Sequence, residues 1–364
     1  MVLCEFAHSV GYVLTKTLTY KYRIKDKHAA SILRGHAFQV NQIWNWCVAQ
    51  HLDTLNKYRS GAKPRRWPSY YDLAKTFKGY GKEVGLHQQT IGAVCEQWSR
   101  NRSSKYRASY GIKRSLGWVP FIEQARQIRD NSVYYLGKRY RLFGLKRRGI
   151  PQNVKGGCFV EDITGKWYVC FHVTVPHSEA NNDNKIGIDL GLNAFATLSD
   201  GRKIDAPRAY RGIERKLSIA QRAHNRKRVK ALHVYAGNVR RDFHHKVSTG
   251  LCRDYAFIAV GNVNAKRLAQ TRMAKSVLDA GWSTFRRMLA YKAATYREVD
   301  EKFTTQTCSE CGSINGPKGY AGLNKREWNC SVCGVSHDRD VNSAVIILSR
   351  ALSAERPVLE SLAA

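Results

Sequence analysis

An α/β fold, preceded by a helical half flanked by strands, is what this 364-residue sequence predicts. Three observations predict it. From residue 185 onward, short apolar or alternating runs and longer helical stretches follow one another as three strands, helix, strand, helix, strand, helix. The first of those runs, Lys185-Ile186-Gly187-Ile188-Asp189-Leu190-Gly191, closes on a carboxylate. Between the last strand and the last helix stand Cys308, Cys311, Cys330 and Cys333. This order is that of an RNase H-like α/β domain, with the cysteine cluster inserted before the final helix.

The elements follow in order. Residues 11–23 alternate and are rich in Thr, Tyr and Val, which predicts a strand. Residues 26–58 predict a helix in which Ile32, Leu33, Phe38, Ile43, Trp44 and Cys47 favour one side. Gly61 to Pro68 is a basic, Pro-containing loop, and two further helices are predicted near 70–79 and 86–108. The stretch Leu116-Gly117-Trp118-Val119-Pro120-Phe121 breaks helix and opens a run of strands reaching about residue 176. The clearest of them, 166–175, places Trp167, Val169, Phe171, Val173 and Val175 on one face. Residues 176–184 are polar and short, a linker and domain boundary. Beyond it, strands at 185–190 and 193–199, a turn at Asp200-Gly201 and a third short strand predict a meander. A long helix is expected over 209–253, interrupted near Gly237, then a buried strand at 256–260 and a helix over 273–294. A strand at 298–303 leads into the cysteine cluster, and residues 338–352 form the final helix.

Composition restricts the partners. Sixty-one Lys and Arg stand against 28 Asp and Glu, a formal charge of +33. So large an excess attracts polyanions, and nucleic acid, held through its phosphates, is the expected partner. Between Arg211 and Lys230 there are eight Lys/Arg and the single acid Glu214. Lys138, Arg139, Arg141, Lys146, Arg147 and Arg148 form a second basic patch, and Trp44, Trp46, Trp67, Tyr70 and Tyr71 are candidates for base stacking or core packing. His244 and His245 read as helix packing or phosphate contacts. Cys4, Cys47, Cys95, Cys158, Cys170 and Cys252 show no paired spacing, which fits reduced thiols. No apolar run approaches the roughly 18 residues that cross a membrane, and the N-terminus lacks a signal pattern. A cytoplasmic, nucleoid-associated protein without membrane contact is therefore expected.

The chemistry gathers at the ends of the second half. The spacing C-x2-C-x18-C-x2-C lets each pair clasp one side of a tetrahedral ion. Four filled ligand positions predict a structural Zn²⁺ rather than a catalytic one. Asp189 ends an apolar strand, where a carboxylate is costly without compensation. Asp340 opens the last helix, with Asp338 the natural cap. Hydrolysis of a phosphodiester by two Mg²⁺ needs carboxylates that bridge ions about 4 Å apart, and two acids rarely suffice. The strand 256–260 is followed by Gly261, where a third acid would be expected, and by Asn262. The neighbouring strand supplies candidates instead: Glu301 first, with Glu298 in reserve.

Three segments resemble the TnpB family of transposon-encoded proteins, relatives of type V CRISPR effectors and of Fanzor. They are Gly187-Ile188-Asp189-Leu190-Gly191, Thr304-Thr305-Gln306-Thr307-Cys308-Ser309-Glu310-Cys311-Gly312 and Asp338-Arg339-Asp340-Val341-Asn342-Ser343-Ala344. Met273 to Trp282 is similar as well, whereas the N-terminal half matches only loosely. The resemblance implies an RNA-guided, Mg²⁺-dependent DNA endonuclease of a mobile element, cutting beside a short flanking motif. Asp189 and Asp340 match the first and third acids of a RuvC-like site, and Gly261 departs from the second. Some relatives carry that glutamate on a later strand, where Glu301 falls. Others have lost cleavage, so the alternative is a nuclease-dead, RNA-guided DNA-binding repressor; an RNA-free resolvase or transposase accessory factor is a third reading. The resemblance further implies a mixed β-barrel wedge over 1–25 and 116–180 and a helical recognition lobe over 26–115. The RuvC-like domain would span 185–303 and 337–352, split by a zinc ribbon at 304–336 and followed by a tail at 353–364. The implied partners are an omega-type guide RNA and double-stranded target DNA, bound by a monomeric ribonucleoprotein.

Overall fold

The computed structural model describes residues 15–62, 67–101, 106–107, 117–122, 128–145, 149, 151–176, 182–318, 322 and 324–354. Lys146, Arg147 and Arg148 of the second basic patch, and nearly all of the C-terminal tail, lie outside the described residues. The chain separates into two units, 1–176 and 177–364.

In the first unit β1 (Thr15–Arg23) leads into α1 (Ala29–Arg59), which is followed by α2 (Tyr70–Thr76), α3 (Gly81–Val84) and α4 (Gln88–Asn101). Ser69 and Asp72 close a reciprocal capping box at the start of α2, satisfying two of its free backbone N–H groups. Then come β2 (Trp118–Phe121), β3 (Ile128–Arg129), β4 (Ser132–Tyr135), β5 (Lys138–Arg141), β6 (Val154–Glu161) and β7 (Trp167–Pro176). An antiparallel sheet runs β1-β7-β6-β2, and β3-β4-β5 form a separate meander. The period-2 face of β7 is buried as Trp167, Val169, Phe171 and Val173, in one core with Leu33, Val40 and Ile43 of α1 and Ile91, Val94 and Trp98 of α4. Trp44 is buried in that core and Trp46 packs edge-on against Phe77 at 4.8 Å, so neither offers a free stacking face. Trp67 stacks on His51 yet stays partly exposed, and Tyr71 is 77% exposed.

The second unit is a mixed α/β body. Its strands are β8 (Lys185–Leu190), β9 (Ala196–Leu198), β10 (Lys203–Ile204), β11 (Phe257–Gly261) and β12 (Thr295–Val299), in the order β10-β9-β8-β11-β12. The first three pair antiparallel, whereas β11 runs parallel to both β8 and β12. Parallel neighbours need a crossover. One is supplied by α5 (Glu214–Arg222) and α6 (Arg226–Asp254), the other by α7 (Ala265–Leu268), α8 (Ala274–Ala280) and α9 (Trp282–Lys292). After β12 a hairpin of β13 (Glu327–Asn329) and β14 (Ser336–Asp338) precedes α10 (Arg339–Ser353).

Alternation sorts the strand residues into two layers. Ile186, Ile188 and Leu190 join Ile258 and Val260 in a core with Leu251, Phe285 and Leu289. Phe257 and Ala259 face the other way, onto Ile347 and Ala351 of α10. Each fully buried Ile, Val or Leu contributes about 1.5–3 kcal/mol relative to exposure. A side chain at Gly187 would put its Cβ 2.1 Å from the Ala344 carbonyl oxygen, so α10 lies directly on β8. That close approach sets the helix bearing Asp340 on the strand bearing Asp189.

Three expectations need correction. The strand predicted at 298–303 lies at 295–299, because its register is set by pairing with β11 (Phe257 with Thr295, Gly261 with Val299) rather than by its own apolar alternation. The helix predicted over 209–253 is not broken at Gly237, which α6 traverses; the break falls at Ala223–Asn225. There His224 adopts a positive φ of 50° and the Asn225 side chain caps α6 by accepting from Arg228 N–H. The helix predicted over 273–294 is divided at Gly281, whose φ of 66° ends α8 and starts α9.

Candidate active site

Asp189 is the fifth residue of β8, on the face toward α10, and its neighbours on the sheet end at Gly261 and Val299. Its carboxyl pKa is pushed up to about 7, first by burial, then by the charges of Glu301 and Asp340, against the opposing pull of Arg339. Asp189 thus lies within electrostatic reach of both Glu301 and Asp340.

Glu301 comes within that reach from an unexpected place. It lies two residues beyond β12, not within a strand. A Cβ built on Gly261 would stand 2.7 Å from Glu301 Oε2 and 3.5 Å from its Cβ. The glutamate therefore fills the space that a side chain at position 261 would occupy, and the missing side chain is what admits it. Burial raises the Glu301 pKa, Arg286 lowers it, and Asp300 raises it again. Glu298 is engaged elsewhere: its oxygens accept from Arg286 Nη1 at 3.2 Å and from the Tyr296 hydroxyl at 2.9 Å.

Asp340 sits in the first turn of α10. Asp338 caps that helix, accepting from the N–H groups of Asp340 and Val341 at 3.0 Å each, and is itself paired with Lys203 Nζ at 2.6 Å. The Asp340 carboxylate is held by Arg326 Nη1 on one oxygen at 2.7 Å and by Arg339 on the other at 3.0 Å. Neither arginine stands out in the sequence. Arg339 lies inside the motif Asp338-Arg339-Asp340, while Arg326 is brought in by the β13–β14 hairpin, whose register pairs Glu327 with Asp338.

The four cysteines come together as their spacing requires. Among the described residues they are the one group of three or more His, Cys, Asp or Glu gathered closely enough to hold a metal ion, their sulfurs all within 4.8 Å of one another; Asp189, Glu301 and Asp340 form no such group. Cys308 approaches Cys333 and Cys311 approaches Cys330 at 3.6 Å each. Hydrogen bonds from Ser313, from backbone N–H and from Asn315 push the Cys330 thiol down to about 5, toward the thiolate that binds metal. Gly312 and Gly334, each just after a pair, take φ of 74° and 75°. His337 Nε2 lies 3.1 Å from Cys308 Sγ and its ring packs on Trp328. Four sulfur donors suit a closed tetrahedral Zn²⁺ site.

The eight Lys and Arg between Arg211 and Lys230 are all exposed. Glu214, the acid among them, is already shared by Arg211 at 3.1 Å and Lys275 at 3.0 Å. His244 is a packing residue: it is buried, stacks on Phe195, and its Nε2 lies 2.9 Å from the Ala280 carbonyl.

The raised Asp189 pKa has a sign that can be measured. The folded protein holds a proton that the unfolded chain releases near pH 4, so the stability tied to Asp189 is present below about pH 4 and is lost as pH rises toward 7. In Mg²⁺-free buffer, Asp189→Asn is expected to melt above wild type at pH 8, with the gap closing toward pH 4. Thermal melts across that range check it.

Comparison with known proteins covers much of the second unit. Residues 168–272 match the family described as "Probable transposase" (OrfB_IS605), and residues 282–347 match "Cas12f1-like, TNB domain". A Streptomyces pristinaespiralis protein named "Putative RNA-guided DNA endonuclease" is 35% identical over 213 residues, 53% of this chain and 52% of that protein. InsQ of Escherichia coli K12, under the same description, is 29% identical over 60% of this chain and 62% of its own length. The TnpB-like protein L79 of Acanthamoeba polyphaga mimivirus is 27% identical over 51% of this chain and 41% of its own. The chain thus spans about half the length of the curated relatives it matches. The solved Cas12f1-sgRNA-target DNA complex aligns over 92% of this chain at 14% identity and a TM-score of 0.36, too distant a likeness to bear on the fold.

Proposed function

We propose that this chain is a member of the TnpB family and an RNA-guided DNA endonuclease of a mobile element, hydrolysing target phosphodiesters at the cluster Asp189–Glu301–Asp340. The observation that carries the reading is the placing of Glu301 in the space at Gly261, which supplies the third acid the sequence lacks at its expected position. Element order and strand directions support an RNase H-like, RuvC-type nuclease domain over 185–303 and 337–352. Residues 304–336 are its zinc ribbon, with Cys308, Cys311, Cys330 and Cys333 as ligands. Residues 1–25 with 116–180 are assigned to a wedge and 26–115 to a recognition lobe. The partners are a guide RNA and double-stranded DNA, drawn by the exposed cations of α5 and α6 and by the overall charge of +33.

The three carboxylates suit Mg²⁺. They are oxygen donors at one sheet end, and the charges of Glu301 and Asp340 are felt by Asp189. When bound, the ions would lower the pKa of a water and stabilise the leaving oxygen. The chain's own part is to gather the acids at the sheet end, where burial raises the pKa of Asp189 and Glu301 and favours a cation that offsets their charge. Arg326 and Arg339 neutralise Asp340, and Arg286 offsets charge on Glu301. Sequence choice would rest on base pairing with the guide.

The test is to purify the protein from cells carrying its locus, sequence the copurified RNA, and challenge the complex with that guide's target beside a library of flanking motifs. A defined RNA and Mg²⁺-dependent cutting next to one motif are expected. Full cutting by RNA-free protein removes the guided reading. Guided binding without cutting favours the repressor.

A further inference from the structure

A glutamate that reaches the acidic cluster from a loop needs that loop held rigid, since a carboxylate displaced by about 1 Å can cost a hundredfold in rate. The loop after β12 is unusually well tied. Phe303 adopts a φ of 63°, a strained conformation for an aromatic residue that persists only where its surroundings enforce it. Thr304, only 1% exposed, closes the turn: its N–H and its hydroxyl both donate to the Glu301 carbonyl, at 3.2 and 2.9 Å. Its own hydroxyl oxygen accepts from Ser343 Oγ at 2.8 Å, and its carbonyl accepts from Asn342 Nδ2 at 3.2 Å. Ser343 is fully buried at the start of α10. The same Asn342 amide donates to the Thr307 carbonyl at 2.7 Å and accepts from Ser309 N–H, next to the ligand Cys308, at 2.9 Å. Further along α10, Arg350 Nη1 reaches the carbonyls of Asp300 and Lys302.

We propose that Thr304 is the positioning residue of the displaced acid: through Ser343 it ties the Glu301 backbone to α10, the helix that bears Asp340, and through Asn342 it joins that tie to the base of the zinc knuckle. Thr304 touches neither substrate nor ion. It fixes where Glu301 begins, so its loss should weaken the hold on Mg²⁺ without disturbing guide or target binding. Outer-shell partners of metal ligands typically contribute 10–100-fold to affinity or activity. The inference rests on the nuclease reading above, and the experiment separates the two.

The guide-loaded, zinc-replete protein is assayed as wild type, Thr304→Val, Thr304→Ser, Ser343→Ala and Glu301→Gln. Single-turnover cleavage is followed against Mg²⁺ concentration, with zinc content, melting temperature and target binding measured alongside. Thr304→Val keeps the shape and loses the hydroxyl. It should keep zinc and target binding, cut at least about tenfold more slowly, and need several-fold more Mg²⁺ for half-maximal rate. Thr304→Ser should cut within a few-fold of wild type. Wild-type rate and Mg²⁺ dependence in Thr304→Val, or equal impairment of the Val and Ser variants, would overturn the inference. Should Thr304→Val fail to fold, Ser343→Ala decides: a raised Mg²⁺ requirement supports the coupling, and an unchanged one overturns it. If wild type does not cut, or Glu301→Gln cuts normally, the nuclease reading fails instead.

Discussion

Glu301→Gln is expected to reduce cleavage by at least about a hundredfold while guide RNA and target DNA remain bound. The substitution keeps size and hydrogen-bonding shape and removes only the charge. That charge is what the site lacks elsewhere: position 261 has no side chain, and Glu298 is committed to Arg286 and Tyr296. The variant should also fold at least as well as wild type without Mg²⁺, because removing one like charge relieves Asp189. Gly261→Ala should weaken cleavage by a related route. Its Cβ would meet Glu301 Oε2 at 2.7 Å and Ile347 Cδ1 at 3.1 Å; the carboxylate, as the end of a flexible side chain, can move aside, and moving it spoils the site more than the fold. Single-turnover cleavage with filter binding on the same samples separates the two effects.

Removing zinc should be as damaging. The knuckle's own apolar core consists of Cys308, Trp328 and Cys330, far too little to hold about thirty residues without a metal. Its order reaches the acids by short covalent and hydrogen-bonded paths: Ser309 to Asn342, Arg326 to Asp340, and Cys308 back to Glu301 through Thr304. A strong chelator, or Cys330→Ser, is therefore expected to abolish cleavage and release one equivalent of zinc. The sheet β10-β9-β8-β11-β12 and its helices should stay folded, because their cores contain no knuckle residue. Zinc release measured beside circular dichroism and cleavage checks this. Retained cutting in zinc-free protein would deny the knuckle any role in placing Asp340 or Glu301.

What the sequence disclosed follows from physical contrast. Asp189 was legible because a carboxylate interrupts an otherwise apolar strand, the cysteines because their spacing has few other uses, and Asp338 because a capping residue precedes a helical run. β8 was legible to the residue, because Ile186, Ile188 and Leu190 alternate with Gly187 and Asp189. β12 was not: Thr295-Tyr296-Arg297-Glu298-Val299 is a half-exposed edge segment without apolar alternation, placed only by pairing with β11. Glu301 was thus assigned to a strand, whereas it lies two residues beyond β12 and beside Gly261. The arginines on Asp340 were invisible for a different reason, since Arg326 meets it only through the hairpin register. Trp44 and Trp46 show the converse limit, because composition alone does not separate a stacking surface from a core.

The most direct measurement is the exchange of the acid between its two possible origins, comparing Glu301→Ala, Gly261→Glu and the double variant in single-turnover cleavage of one target. If Glu301 stands in the place of a side chain at 261, Glu301→Ala is inactive and adding Gly261→Glu to it restores cutting to within about tenfold of wild type. Cutting by Glu301→Ala alone at the wild-type rate would contradict the account.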